Sequence, residues 1–219
     1  MDAFDVLSAG VTAGPLVAGW SVHTLWMRRR LARERLDALT GVPARELFTS
    51  FARRDLRRLE RAAVLVVDLD GFKAVNDRHG HAAGDAVLVA VAGRLRRWAV
   101  SRGGSVGRLG GDEFAATAFI ESPAYLPRHL STLDVALREP VLFREKELAV
   151  GASIGAFIHA GLPRVDFTRA LRRADEAMYV AKREGGGWRI ATGPIPETTT
   201  TNGRRTGRPG TTPLPGGAR

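Results

Sequence analysis

Ala62-Ala63-Val64-Leu65-Val66-Val67 runs directly into Asp68-Leu69-Asp70. An apolar run this short, rich in β-branched residues, predicts a strand buried on both faces at the centre of a sheet. Two carboxylates at the end of such a strand are costly to place without a task. Upstream, residues 44–61 carry Leu47, Phe51, Leu56 and Leu59 at helical spacing, with arginines on the other faces. Downstream, residues 84–99 set Val87, Leu88, Val91, Leu95 and Trp98 on one side of a helix. Val106 and Leu109 precede Gly110-Gly111, and an apolar run starts at Phe114, the pattern of two short strands joined by a glycine turn. A helix over 125–137, a strand pair at 141–143 and 148–158, a helix over 166–183 and a last strand at 188–190 complete the pattern. The fold class expected is α+β, a central, mostly antiparallel sheet flanked by helices.

The 219 residues, 44% hydrophobic, suit one domain of ordinary size with flanking segments. No cysteine is present, so disulfides, thiolate nucleophiles and Cys-based zinc sites are excluded. The net charge of +10 is spread over arginines in many segments, which favours solvated helix faces over a nucleic-acid surface; no nucleic-acid partner is expected. Residues 1–30 form an apolar N-terminal segment in which 6–27 lack any Asp, Glu, Lys or Arg, and Arg28-Arg29-Arg30 follow. That length suits one transmembrane helix, and the arginines would keep everything after it in the cytoplasm, anchored to the cell membrane. The alternative is an amphipathic helix on a partner or on the domain itself. Residues 31–40 read as a charged linker helix ended by Thr40-Gly41-Val42-Pro43. Residues 192–219, rich in Thr, Gly, Pro and Arg, are expected to be disordered.

Asp68 and Asp70 at a strand end, with Asp112-Glu113 beside a hairpin turn, bring four acids within reach of one another. Mg²⁺ takes hard oxygen ligands, often one or two carboxylates plus substrate phosphates, so this set suits phosphoryl transfer on a nucleotide. Each acid alone has a plainer account: Asp70 as a helix cap, Gly111-Asp112 as turn chemistry.

Arg108-Leu109-Gly110-Gly111-Asp112-Glu113-Phe114 resembles the signature of the GGDEF diguanylate cyclase family, and further blocks match in order. These are Asp37-Ala38-Leu39-Thr40-Gly41, then Asp68-Leu69-Asp70-Gly71-Phe72-Lys73-Ala74-Val75-Asn76-Asp77, then Gly80-His81-Ala82-Ala83-Gly84-Asp85. Ser153-Ile154-Gly155 and Ala174-Asp175-Glu176-Ala177-Met178-Tyr179-Val180-Ala181-Lys182 follow. The resemblance spans residues 37–191 and implies a palm-like domain in which two copies, each holding one GTP, face each other and form cyclic di-GMP in a signalling role. It implies metal ligation by Asp68, the Leu69 carbonyl, Asp112 and Glu113, with Mg²⁺ as the metal and Mn²⁺ as an alternative. Lys73 would stabilise phosphate charge and Glu113 would join the metal shell or assist deprotonation. Asn76 and Asp85 would read guanine, His81 would lie on the substrate side, and Lys182 would hold phosphate. Gly110 and Gly111 would let the backbone pass close to the nucleotide.

Departures from the family pattern sharpen the reading. Ala44 stands where Asn is frequent. Gly186 stands where the family commonly has the arginine of Lys-x-x-Gly-Arg, removing a phosphate contact. Ser101-Arg102-Gly103-Gly104 replaces the Arg-x-x-Asp of the product-inhibition site, so feedback inhibition by that route is expected to be weak or absent. The rival functional reading is a non-catalytic domain that binds GTP or cyclic di-GMP as a signalling module.

Overall fold

The computed structural model describes residue 20, residues 35–160 and residues 166–192. A five-stranded sheet in the order β2-β3-β1-β6-β7 forms its centre. The strands are β1 (Arg61–Asp70), β2 (Val106–Gly110), β3 (Glu113–Phe119), β6 (Gly151–Ala160) and β7 (Gly187–Ile190). All neighbours run antiparallel except β6 and β7, which are parallel. The helices are α1 (Arg45–Arg58), α2 (Phe72–His79), α3 (His81–Val100), α4 (Leu126–Arg138) and α5 (Phe167–Arg183). A separate two-stranded ribbon joins β4 (Val141–Phe143) to β5 (Lys146–Leu148). The α+β expectation holds.

Period-two alternation along β1 divides the core. Ala63, Leu65, Val67 and Leu69 join the larger cluster, with residues of α3 and α4. Ala62, Val64 and Val66 join the smaller one, with residues of α1 and α5. Asp68 and Asp70 continue this second series, so the sheet turns its two carboxylates toward α5. Close approach of α5 depends on Gly155: a Cβ there would lie 1.9 Å from the Ala174 carbonyl oxygen and 2.1 Å from the Met178 nitrogen.

Three expectations are corrected. Residues 35–40 form a turn, not a linker helix: Leu36 bridges to Pro43, and the Asp37 carboxylate accepts hydrogen bonds from the Thr40 N–H at 2.8 Å and from Thr40 Oγ1 at 2.6 Å. An aspartate that satisfies the backbone locally competes with helix. The strand expected over 148–158 divides at Val150, because its first part pairs with β4 and its second with β1. On α1 the buried residues are Phe48, Ala52, Asp55 and Leu56 instead of a stripe through Leu47 and Phe51. Periodicity alone missed the charged member, because Asp55 is accommodated by hydrogen bonds from Ser105 Oγ at 2.6 Å and Thr117 Oγ1 at 2.7 Å. Apart from residue 20, the apolar stretch 6–27 lies outside the described residues, as does the tail from residue 193. Among the described residues no helix is long and apolar enough to cross a membrane.

Candidate active site

The site forms where β1 ends. Asp68 is cross-strand partner to Glu113 at the start of β3 and to Ser153 on β6. Paired residues on adjacent strands share a face, so the hairpin carries Glu113 to the same side as Asp68. Leu69 lies one step past the last β1–β3 pair and continues only against β6, its side chain buried in the larger cluster. Asp112 occupies the turn, half-buried. The turn is glycine because its backbone requires it: φ is 145° at Gly110 and 55° at Gly111.

Asp68 is 7% exposed. Its Oδ1 accepts from Lys182 Nζ at 2.5 Å, so α5 places a cation on the carboxylate. Asp70 does not cap α2, whose N-cap is Gly71 with no side-chain cap bond. Its Oδ1 accepts from Ser153 Oγ at 2.7 Å, and its Oδ2 lies against Gly151 and Gly186. Asp70 therefore ties three chain segments together beneath the site.

Sequence reading left Arg108 without a role, and the structure supplies one. Its Nη1 donates to Asp37 Oδ1 and Oδ2 at 3.0 and 3.1 Å, while Nε and Nη2 donate to the Gly111 carbonyl at 2.9 and 2.7 Å. Arg45 Nε adds a bond to the Leu109 carbonyl at 3.1 Å. The Asp37–Thr40 turn thus grips the glycine hairpin through a rigid guanidinium fork. Burial opposes ionisation of Asp37, but the Thr40 hydrogen bonds and the Arg108 bond and charge prevail and hold its carboxyl below the usual range. Four glycine-hairpin and turn residues would have to be seen together to find this in sequence, since Asp37 and Arg108 are far apart along the chain.

Lys73 is exposed in the first turn of α2, and His81 and Asp85 are exposed in the first turns of α3. Asn76 is half-buried: a Cβ at Gly84 would meet its Oδ1 at 2.0 Å, so the glycine lets the amide lie against α3 one residue before Asp85. The expected guanine readers are thereby carried on two helices in contact. Among the described residues no group of three or more His, Cys, Asp or Glu side chains is gathered as a ready metal cage. Asp68 and its hairpin partner nevertheless fit a divalent cation, because they are hard oxygen donors and Asp68 already faces positive charge at Lys182.

At the family's product-inhibition position the loop is closed to a side chain. A Cβ on Gly104 would lie 1.9 Å from the Thr117 carbonyl oxygen. Arg102 is occupied elsewhere, stacked over Trp98 at 4.8 Å and bonded to the Trp98 carbonyl at 3.0 Å and to His129 Nδ1 at 3.2 Å.

The sheet thus carries acids at the end of its central strand and on a glycine hairpin. The family model described as "Diguanylate cyclase, GGDEF domain" matches residues 34–187, and the chain belongs to that family. A 19.3 kDa protein from the repSA 5′ region of Streptomyces ambofaciens is 48% identical over 164 residues, which cover 75% of this chain and 87% of that protein. Diguanylate cyclase TpbB of Pseudomonas aeruginosa is 38% identical over 162 residues, 70% of this chain but only 36% of TpbB. Among solved structures, the coiled coil and GGDEF domain of DgcB from Caulobacter crescentus, in complex with c-di-GMP, superposes with a TM-score of 0.69 at 25% identity, covering 83% of this chain and 98% of that one.

Proposed function

We propose that this domain is a diguanylate cyclase that condenses two GTP molecules into cyclic di-GMP. The observation that carries the reading is the meeting of Asp68, Lys182 and the glycine hairpin bearing Asp112-Glu113 at one end of the sheet. In each half-reaction the 3′-hydroxyl of one GTP attacks the α-phosphorus of the other. A new P–O bond forms, the bond to the β-phosphate oxygen breaks, pyrophosphate leaves and the hydroxyl proton is lost.

This chain's residues divide that work. Asn76 and Asp85 hold the guanine edge, an amide and a carboxylate together matching its acceptor and donors. Gly110 and Gly111 leave the hairpin backbone bare against the nucleotide. Lys73 and Lys182 face the phosphates as compact charges, and His81 lies beside the substrate. Asp68, the Leu69 carbonyl and Asp112 would hold Mg²⁺, or Mn²⁺ in its place, and Glu113 would join them or receive the hydroxyl proton. The divalent ion, when bound, offsets phosphate charge and lowers the pKa of the attacking hydroxyl. Because each site holds one GTP, two domains must face each other for either bond to form.

The test is incubation of the full chain with GTP and Mg²⁺, with products read by mass, beside Asp112→Ala. Cyclic di-GMP from the parent and none from the variant supports the reading. GTP bound without turnover by a dimeric parent overturns it in favour of a binding-only signalling domain.

A further inference from the structure

We propose that Arg138, at the end of α4, is a cation for the β- and γ-phosphates of the nucleotide at this site and supplies the charge that Gly186 cannot. The inference rests on the GTP-binding function argued above. Gly186 sits at φ 101°, a conformation that L side chains rarely adopt, and a Cβ built there would lie 2.7 Å from Asp70 Oδ2 and 3.3 Å from Arg138 Nη2. The Asp70 carboxylate oxygen thus takes the place where a side chain at 186 would begin, and the Arg138 guanidinium borders it. The guanidinium reaches this place from a different element, α4, and arrives at the same sheet end as Asp68 and Lys182. Asp70 stands two residues beyond Asp68 on β1, a separation of about 7 Å at strand rise.

The fork is held but not consumed. Its Nε donates to Asp134 Oδ1 at 2.8 Å, one turn back on the helix. Among the described residues neither Nη atom of Arg138 makes a hydrogen bond, and the side chain is 43% exposed. The backbone that carries it is pinned from below: Arg94 Nη1 donates to the Leu137 and Glu139 carbonyls at 3.3 and 2.6 Å, and Nη2 to the Pro140 carbonyl at 3.0 Å. A guanidinium anchored at Nε, presented from a clamped helix end and open at both terminal nitrogens, is suited to bidentate capture of phosphate oxygens.

The probe is 3′-deoxy-GTP, which lacks the attacking hydroxyl and so binds without turnover; guanosine 5′-monophosphate is the comparator. The full-length chain with Mg²⁺ is titrated with each ligand. Arg138→Ala is expected to weaken 3′-deoxy-GTP by about ten-fold or more, the loss of a charge-assisted contact, and to leave the monophosphate within about two-fold. Affinity for 3′-deoxy-GTP within about two-fold of the parent overturns the inference while leaving the cyclase reading intact. If both ligands weaken together the fold has been disturbed, and Arg138→Gln, which keeps most of the stem, is judged by the same two criteria. A parent that binds neither ligand overturns the function and this inference together.

Discussion

Arg108 shows how much one side chain can decide. It makes four hydrogen bonds, two to Asp37 and two to the Gly111 carbonyl, so the conformation of the glycine hairpin is bound to a turn far away in sequence. Arg108→Ala should lower kcat by roughly ten-fold to a hundred-fold, since a small misplacement of reacting groups is costly, while circular dichroism stays that of the parent. Arg108→Lys should rescue little, because an ammonium cannot span both partners; near-parental turnover of the lysine variant would count against this role. His159 gives a second test. It is buried on β6, and burial holds its imidazole below the ordinary value. The folded protein therefore keeps it neutral, whereas the unfolded chain takes up a proton below about pH 6.5. Its contribution to stability is present above that pH and is lost as pH falls through the lowered folded value. The melting temperature of the parent should fall between pH 7.5 and pH 5, and His159→Leu should flatten that slope.

At the scale of elements, the loop from α3 to β2 is built for packing. Ser105 and Thr117 both donate to the buried carboxylate of Asp55, and Arg58 Nη2 donates to the Gly103 carbonyl at 2.5 Å. Gly104 is pressed against Thr117 as a result. Cyclic di-GMP added to the working enzyme should leave its rate unchanged by way of this loop, and tight binding that depends on Arg102 would contradict that. Gly104→Asp should not create an inhibitory site. It should instead destabilise the domain by about 1–3 kcal/mol, the usual cost of overpacking, read as a lower midpoint in urea.

For the whole molecule, the proposed chemistry needs two copies. Specific activity should therefore rise with protein concentration in the dilute range and level off once dimers saturate, which assays over a dilution series will show. A specific activity independent of concentration down to the lowest detectable level, with only monomer present by light scattering, would exclude the facing-domain mechanism. The charge of +10 bears on solubility and encounter and not on the fold; in the structure the arginines at 45, 58, 94, 102 and 108 clamp backbone carbonyls.

Strand β1, the long amphipathic α3, the glycine hairpin and the acids at the strand end and the hairpin were all legible in the sequence, because each depends on neighbours a few residues away: side-chain period, turn chemistry and the cost of an acid at a strand end. The residues that read as a nucleotide-cyclase motif were legible for the same reason, being local blocks in order. What only the tertiary structure decided was contact between distant segments. The split of β6 from β5, the turn at residues 35–40 in place of a helix and the burial of Asp55 each follow from a partner across the sheet or loop. The grip of Asp37 and Arg108 on the hairpin and the arrival of Arg138 beside Gly186 have the same origin. Such contacts leave no periodic trace in the chain, since their energy comes from groups brought together only when the whole domain closes.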